Sequence, residues 1–186
     1  VKGALLPLTM AVGLVGCGSD SDDTQQQVTI DYTSYGVPHI TANNYESLSY
    51  GQGYAHAQEN MCTLAEQIIN VRGERAATFG AGDSDSNIND DFGILALGVY
   101  KQAQDTISTL STDHKSVISG YVKGFNAAVT EKGAASNYPS PCRDVTWVPT
   151  LTDTDLHAFH LRLALLSSGD AISDQVATAA PTQALA

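Results

Sequence analysis

Basic residues are scarce in this chain. Nine Lys and Arg face twenty Asp and Glu, a formal net charge of −11, and no basic cluster occurs anywhere. Such a chain repels phosphate backbones, so nucleic acid is excluded as a partner. Long apolar runs are also missing: none reaches the ~18–20 residues needed to span a bilayer, which excludes an integral membrane protein. There is no internal repeat and no G-x-S-x-G, and there is one tryptophan. Only 16% of residues are charged, whereas 42% are hydrophobic. The 186 residues therefore suffice for one domain with a sizeable core. Cysteine is sparse and odd in number, at three. In an exported protein, that count leaves one thiol with a separate task.

The N-terminus predicts export. Lys2 precedes an apolar stretch from Ala4 to Val15 that closes on Leu14-Val15-Gly16-Cys17. Residues 1–17 thus read as a signal peptide with a lipobox-like end, Cys17 being the residue to be acylated. An ordinary signal peptide that happens to contain Cys17 is the competing reading. Residues 18–27 are polar and acidic, a solvated tether. Folded sequence is expected from 28 to 174, and residues 175–186 decay into a spacer-like tail of Ala, Thr, Pro and Gln.

Within the body, Val28 to Thr33 alternates and is rich in β-formers, which predicts a strand. Tyr35 to Ile40 predicts a turn and a second extended piece. Asn44 caps a long helix that runs through Ile69, and Gly51 and Gly53 inside it imply close approach of another backbone. Asp83 to Asp91 reads as an acidic loop and Phe92 to Thr106 as a helix. Ser111 caps a helix with one apolar stripe, including Ile118, Tyr121, Val122 and Phe125, and Gly133 stops it. A Pro-punctuated loop carries Cys142 and Trp147, and a last helix starts at Thr152 or Asp153.

Local chemistry is thin. His157 and His160 stand at i, i+3, but no third metal ligand sits at a suitable offset, so both read better as surface or core residues. Asp83-x-Asp85-x-Asn87 opens like an EF-hand loop. Ile88 stands where that loop needs glycine and Ile94 where it needs glutamate, so the match fails. Met61 and the aliphatic stripes read as core.

Longer-range order is more informative. Tyr35-Gly36-Val37-Pro38-His39-Ile40 is followed by Tyr50-Gly51-Gln52-Gly53-Tyr54-Ala55-His56-Ala57-Gln58, then Arg72-Gly73-Glu74 and Phe79-Gly80. Leu110-Ser111, Gly120-Tyr121-x-x-Gly124-Phe125-Asn126-Ala127 and Trp147-x-Pro149 complete the series. Together they resemble the α subunit of penicillin-acylase-type N-terminal nucleophile hydrolases. Cys62 to Glu66 and Val71 to Arg75 resemble most the branch of acyl-homoserine-lactone and aculeacin acylases.

The resemblance implies an α+β fold, in which a mainly helical α chain completes an αββα four-layer N-terminal nucleophile hydrolase with a separate β chain. It implies amide hydrolysis by the β chain's N-terminal serine, with no catalytic residue in the present chain. No Gly-Ser-Asn junction occurs here. Leu165, Leu166 and Ser168 are expected to line the acyl pocket, although plain helix core is an equal reading for the two leucines. Penicillin-specific relatives are expected to carry an aromatic and an arginine where Ser168 and Ser167 stand, so small residues here imply a longer aliphatic cleft. No cofactor is needed for the chemistry. Asp174 is the one candidate ligand for a structural calcium. Export makes oxidation available, so Cys62 and Cys142 are expected to pair and leave Cys17 for lipid. The expected compartment is periplasmic or extracytoplasmic. Competing readings are a penicillin or cephalosporin acylase subunit and a non-catalytic, membrane-tethered binding lipoprotein.

Overall fold

The computed structural model describes residues 27–165 and Ala179. The expected signal peptide with Cys17, the tether up to Gln26, Leu166, Ser168, Asp174 and nearly all of the tail lie outside the described residues.

Two strands, β1 (Val28–Tyr32) and β2 (Pro38–Ala42), pair antiparallel with Ile30 opposite Ile40. The turn between them is closed by Thr33, whose carbonyl accepts from Gly36 and whose hydroxyl accepts from Tyr35 and Val37. Within Tyr35–Ile40 the expected turn therefore comes first, with Thr33 holding Tyr35 and Gly36 in it, and the expected extended piece follows as the strand that starts at Pro38.

Helix α1 (Tyr45–Arg72) follows. Asn44 caps it as predicted, its side-chain oxygen accepting from Ser47 N at 2.8 Å. The helix is interrupted at Asn60, which leaves helical geometry. Its main partner is α5 (Thr112–Lys132), capped by Ser111 accepting from His114 N. Where the two cross there is no room for side chains. A Cβ on Gly53 would collide with the Tyr121 carbonyl, one on Gly120 with the Glu46 carbonyl, and one on Gly124 with the Tyr50 carbonyl. Gly53 therefore faces a backbone, as the sequence implied. Gly51 does not: it receives the side chains of Ile40 and Val28 from the hairpin. Helix α1 is covered on two sides, which explains why glycine is tolerated where it costs helix propensity.

The expected single helix from Phe92 to Thr106 is two helices, α3 (Ser86–Leu97) and α4 (Val99–Thr106). Gly98, at φ 65°, adopts the left-handed conformation that separates them. The acidic loop correspondingly shrinks, because α3 begins at Ser86. A short helix not anticipated from sequence, α2 (Arg75–Phe79), precedes it. The last helix, α6 (Asp153–Leu165), packs against α1, α4 and α5. The core gathers Met61, Ile68, Val71, Val99, Ile118, Phe125 and Leu156, all at most 2% exposed. Met61 and the α5 stripe of Ile118, Tyr121, Val122 and Phe125 are core residues as expected, whereas Leu48 and Leu163, expected on the inner faces of the first and last helices, are exposed.

Candidate functional site

Helix α6 is the element expected to carry substrate contacts, and buried polar bonds set its position. Thr152 caps it: Thr152 Oγ1 accepts from Asp155 N at 3.2 Å, and Asp155 Oδ2 accepts from Thr152 N at 2.7 Å. This reciprocal arrangement is a capping box with aspartate as the acid. It decides for Thr152 over Asp153 as the cap.

Asp155 is fully buried, and Arg72 at the end of α1 grips it through two nitrogens, Nε at 2.7 Å and Nη2 at 2.6 Å. Tyr100 donates to it from α4 at 3.0 Å. Burial pushes the Asp155 carboxyl up, but hydrogen bonds from Arg72 and Thr152 outweigh it and hold the group below the usual carboxylate range. Just upstream, the Asn126 amide holds both backbone groups of Leu151 at 2.9 Å, as a neighbouring strand would. Arg72 and Asn126 lie in motifs that carried the resemblance. Asp155 was missed, and the Thr152-x-x-Asp155 spacing was the signal that could have found it.

The loop before α6 is tied down as expected from the cysteine count. Cys62 and Cys142 form a disulfide across 80 residues, with Cα atoms 5.5 Å apart and both side chains buried. Farther along this loop, Trp147 packs edge-on against Phe79, with ring centroids 5.2 Å apart. The guanidinium of Arg75 stands over the other ring of that pair, 5.6 Å from the Phe79 centroid.

At the far end of α6, Leu165 is half-buried and packs against the hydrophobic core, while Leu163 is exposed. Of the three residues expected to line the acyl pocket, Leu165 alone falls within the described residues. A cleft of about 500 Å³ occurs elsewhere, lined by Glu46, Ser108, Lys115, Ser119, Lys123 and Asp153 among others. Asp153 opens α6, whereas Leu165 closes it, so at ~1.5 Å per residue the cleft lies roughly 18 Å along the helix from the expected pocket wall. Glu46, Lys115, Lys123 and Asp153 put four charged groups in its lining, beside Ile107, which does not suit an acyl chain.

No described hydroxyl is set up as a nucleophile by a histidine. Thr106 Oγ1 lies 3.0 Å from His157 Nε2, but the hydroxyl donates its proton to the Gln102 carbonyl at 2.7 Å. The imidazole therefore donates from Nε2, and its buried Nδ1 has no hydrogen-bond partner. Burial first, and His114 second, lower the His157 pKa and favour the neutral ring. His56 Nδ1 meets the Tyr121 hydroxyl between α1 and α5. Burial pushes His56 down and Tyr121 up, so the phenol keeps its proton and donates it. Both pairs are structural. His157 is buried and His160 half-buried. Among the described residues, no group of three or more His, Cys, Asp or Glu side chains could hold a metal.

Residues 27–185 match a family model described as Penicillin amidase. The chain is 32% identical over 160 residues to an acyl-homoserine lactone acylase PvdQ of Pseudomonas putida, covering 84% of this chain and 20% of the relative. It is 30% identical over 158 residues to the aculeacin-A acylase of Actinoplanes utahensis, covering 81% of this chain and again 20% of the relative. The chain thus spans about a fifth of the length of these curated relatives. Among solved structures, a thermostable penicillin G acylase from Alcaligenes faecalis superposes with a TM-score of 0.66. That match has 24% identity and covers 84% of this chain and 94% of that chain. The mostly helical architecture with a small sheet is thus that of the penicillin acylase fold.

Proposed function

The chain belongs to the penicillin amidase family, and from that premise we propose that it is the α subunit of an exported N-acyl amide hydrolase acting on long-chain acyl amides. Acyl-homoserine lactones and lipopeptides are the substrate classes in view. The carrying observation is the similarity itself. More than four-fifths of this chain aligns with acyl-homoserine lactone and aculeacin acylases, yet it accounts for only a fifth of their length.

In this reading the chain shapes the acyl pocket through the end of α6, with Leu165, Leu166 and Ser168 along its wall. A β chain cut from the same precursor begins with serine. Its α-amine takes the proton of its own hydroxyl, and the oxygen attacks the amide carbonyl. The amine leaves with a proton, and water then hydrolyses the acyl ester. A terminal amine suits this role because it is far more readily deprotonated near neutral pH than a lysine. Cys17 carries lipid, and Asp174 contributes to a structural calcium whose other oxygen ligands come from the β chain.

Reading the coding sequence downstream for an in-frame Ser-Asn is the first test. The second is the relative kcat/KM of the co-expressed chains for a dodecanoyl amide and an aromatic amide. Preference for the dodecanoyl amide supports the proposal. Faster turnover of the aromatic amide makes the protein a penicillin-type acylase instead. An open reading frame that ends near Ala186 favours a non-catalytic lipoprotein.

A further inference from the structure

Helix α3 is turned inside out. Asn87, Asp91 and Ile94 share one face by their i, i+4, i+7 spacing, and that face is buried. Two of these three residues are polar. Both are satisfied locally: the Asp91 carboxylate accepts from Arg75 N at 2.9 Å and Ala76 N at 2.8 Å, which caps α2 from outside. Asn87 donates to the Gly80 carbonyl at 2.9 Å and accepts from Arg75 Nε at 3.2 Å. The adjacent face, one residue on, carries Ile88, Phe92 and Leu95 at the same spacing, and they are 46%, 53% and 59% exposed. A helix folding for its own sake would rotate this stripe inward. The hydrogen bonds to α2 prevent it.

We propose that the Ile88-Phe92-Leu95 face of α3 is a docking surface for the β chain. The inference rests on the functional reading above and adds to it the surface that joins the two chains. The occupant follows from two observations. About four-fifths of the length of the curated relatives lies outside the region this chain matches, so the reading supplies a large second body in need of an apolar contact. A second copy of this chain is disfavoured by charge. Each copy carries −11, and Asp83 and Asp85 stand exposed just before α3, where two copies would repel, while Asp90 on the helix is exposed but paired with Arg75. The complementary surface is therefore apolar at its centre, with lysine or arginine on the rim facing residues 83–90.

The test uses the whole gene product, tagged on this chain and allowed to mature. Phe92→Glu and the double variant Ile88→Glu/Leu95→Glu are expected to lower the co-purified β chain at least about tenfold, as loss of a central apolar anchor does. Lys101→Glu on α4 should leave it unchanged. Hydrogen exchange on the wild-type complex provides a readout that needs no variant: amides of residues 88–95 should exchange more slowly in the assembly than those of the exposed residues Lys101, Gln102, Gln104 and Asp105 of α4. A wild-type complex that tolerates Phe92→Glu and shows no protection of α3 overturns this inference and leaves the functional reading intact. A concentration-dependent dimer of this chain that Phe92→Glu abolishes assigns the face to a second copy. Binding to phosphatidylcholine vesicles that the same substitution abolishes assigns it to lipid. Either result overturns the proposal. The lack of any β chain in the gene product overturns both the proposal and the functional reading.

Discussion

The α1–α5 crossing and the α2–α3 segment solve opposite problems. At the crossing, three glycines let two backbones touch, and Ala57, Met61, Phe125 and Ala128 fill what remains at 0% exposure. Nothing further is needed there. In α2–α3 the polar side chains Asn87 and Asp91 are buried in hydrogen bonds beside Ile94, while Ile88, Phe92 and Leu95 point outward. The contrast separates what this chain stabilises alone from what it presents to something else. Burial of apolar surface is the main favourable term in folding, and the exposed stripe of α3 is the feature on which the docking proposal rests.

The comparison breaks first at the crossing. Gly124→Leu places a side chain on the Tyr50 carbonyl, and the loss should exceed about 4 kcal/mol, in the range where the named mechanisms of severe destabilisation operate. Denaturant unfolding of the matured protein reads it; a midpoint shift equivalent to less than 1 kcal/mol would mean that the helices do not touch there. The disulfide comes next. It closes 80 residues, and on the chain-entropy model its removal by Cys142→Ala costs on the order of 4 kcal/mol, with native strain able to reduce that figure. Thiol titration of the unreduced, denatured protein should find neither Cys62 nor Cys142 free.

Arg72→Met leaves Asp155 buried without its cation, which should cost about 3 kcal/mol. The pH dependence sharpens this test. Because the Asp155 carboxyl is held below its unfolded value, its contribution is present above the unfolded pKa and is lost as pH falls through the lower folded one. Wild type should therefore lose stability on acidification faster than the variant, and parallel curves would show that the pair contributes nothing ionic. The smallest effect belongs to the other region. Phe92→Ser should change the unfolding midpoint of this chain by no more than about 0.5 kcal/mol. It should also raise the chain's solubility when it is expressed alone, and a large destabilisation would show that Phe92 is core after all.

How legible each region was follows the same division. Asn44, Ser111 and Gly133 announced helix ends correctly because capping is decided within three or four residues. The stripe of α5 and the place of Met61 in the core were equally readable, since a 3.6-residue period maps directly to a buried face. The α3–α4 break was not read, although Gly98 stood in plain view. A single glycine within an apolar helical pattern is compatible with continuation, and only the packing of α4 against α6 and of α3 against α2 demanded the turn. The short helix α2 was invisible because its cap is Asp91, sixteen residues from Arg75.

The sequence by itself determined the family, the helix caps and the apolar stripe of α5, since each depends on residue order or on local spacing. Tertiary structure alone decided that Arg72 would meet Asp155, 83 residues away, that Asn126 would hold Leu151, and that α3 would face outward with its apolar side. A local pattern states which face of a helix is apolar. Whether that face is buried depends on hydrogen bonds formed with segments that the pattern does not contain.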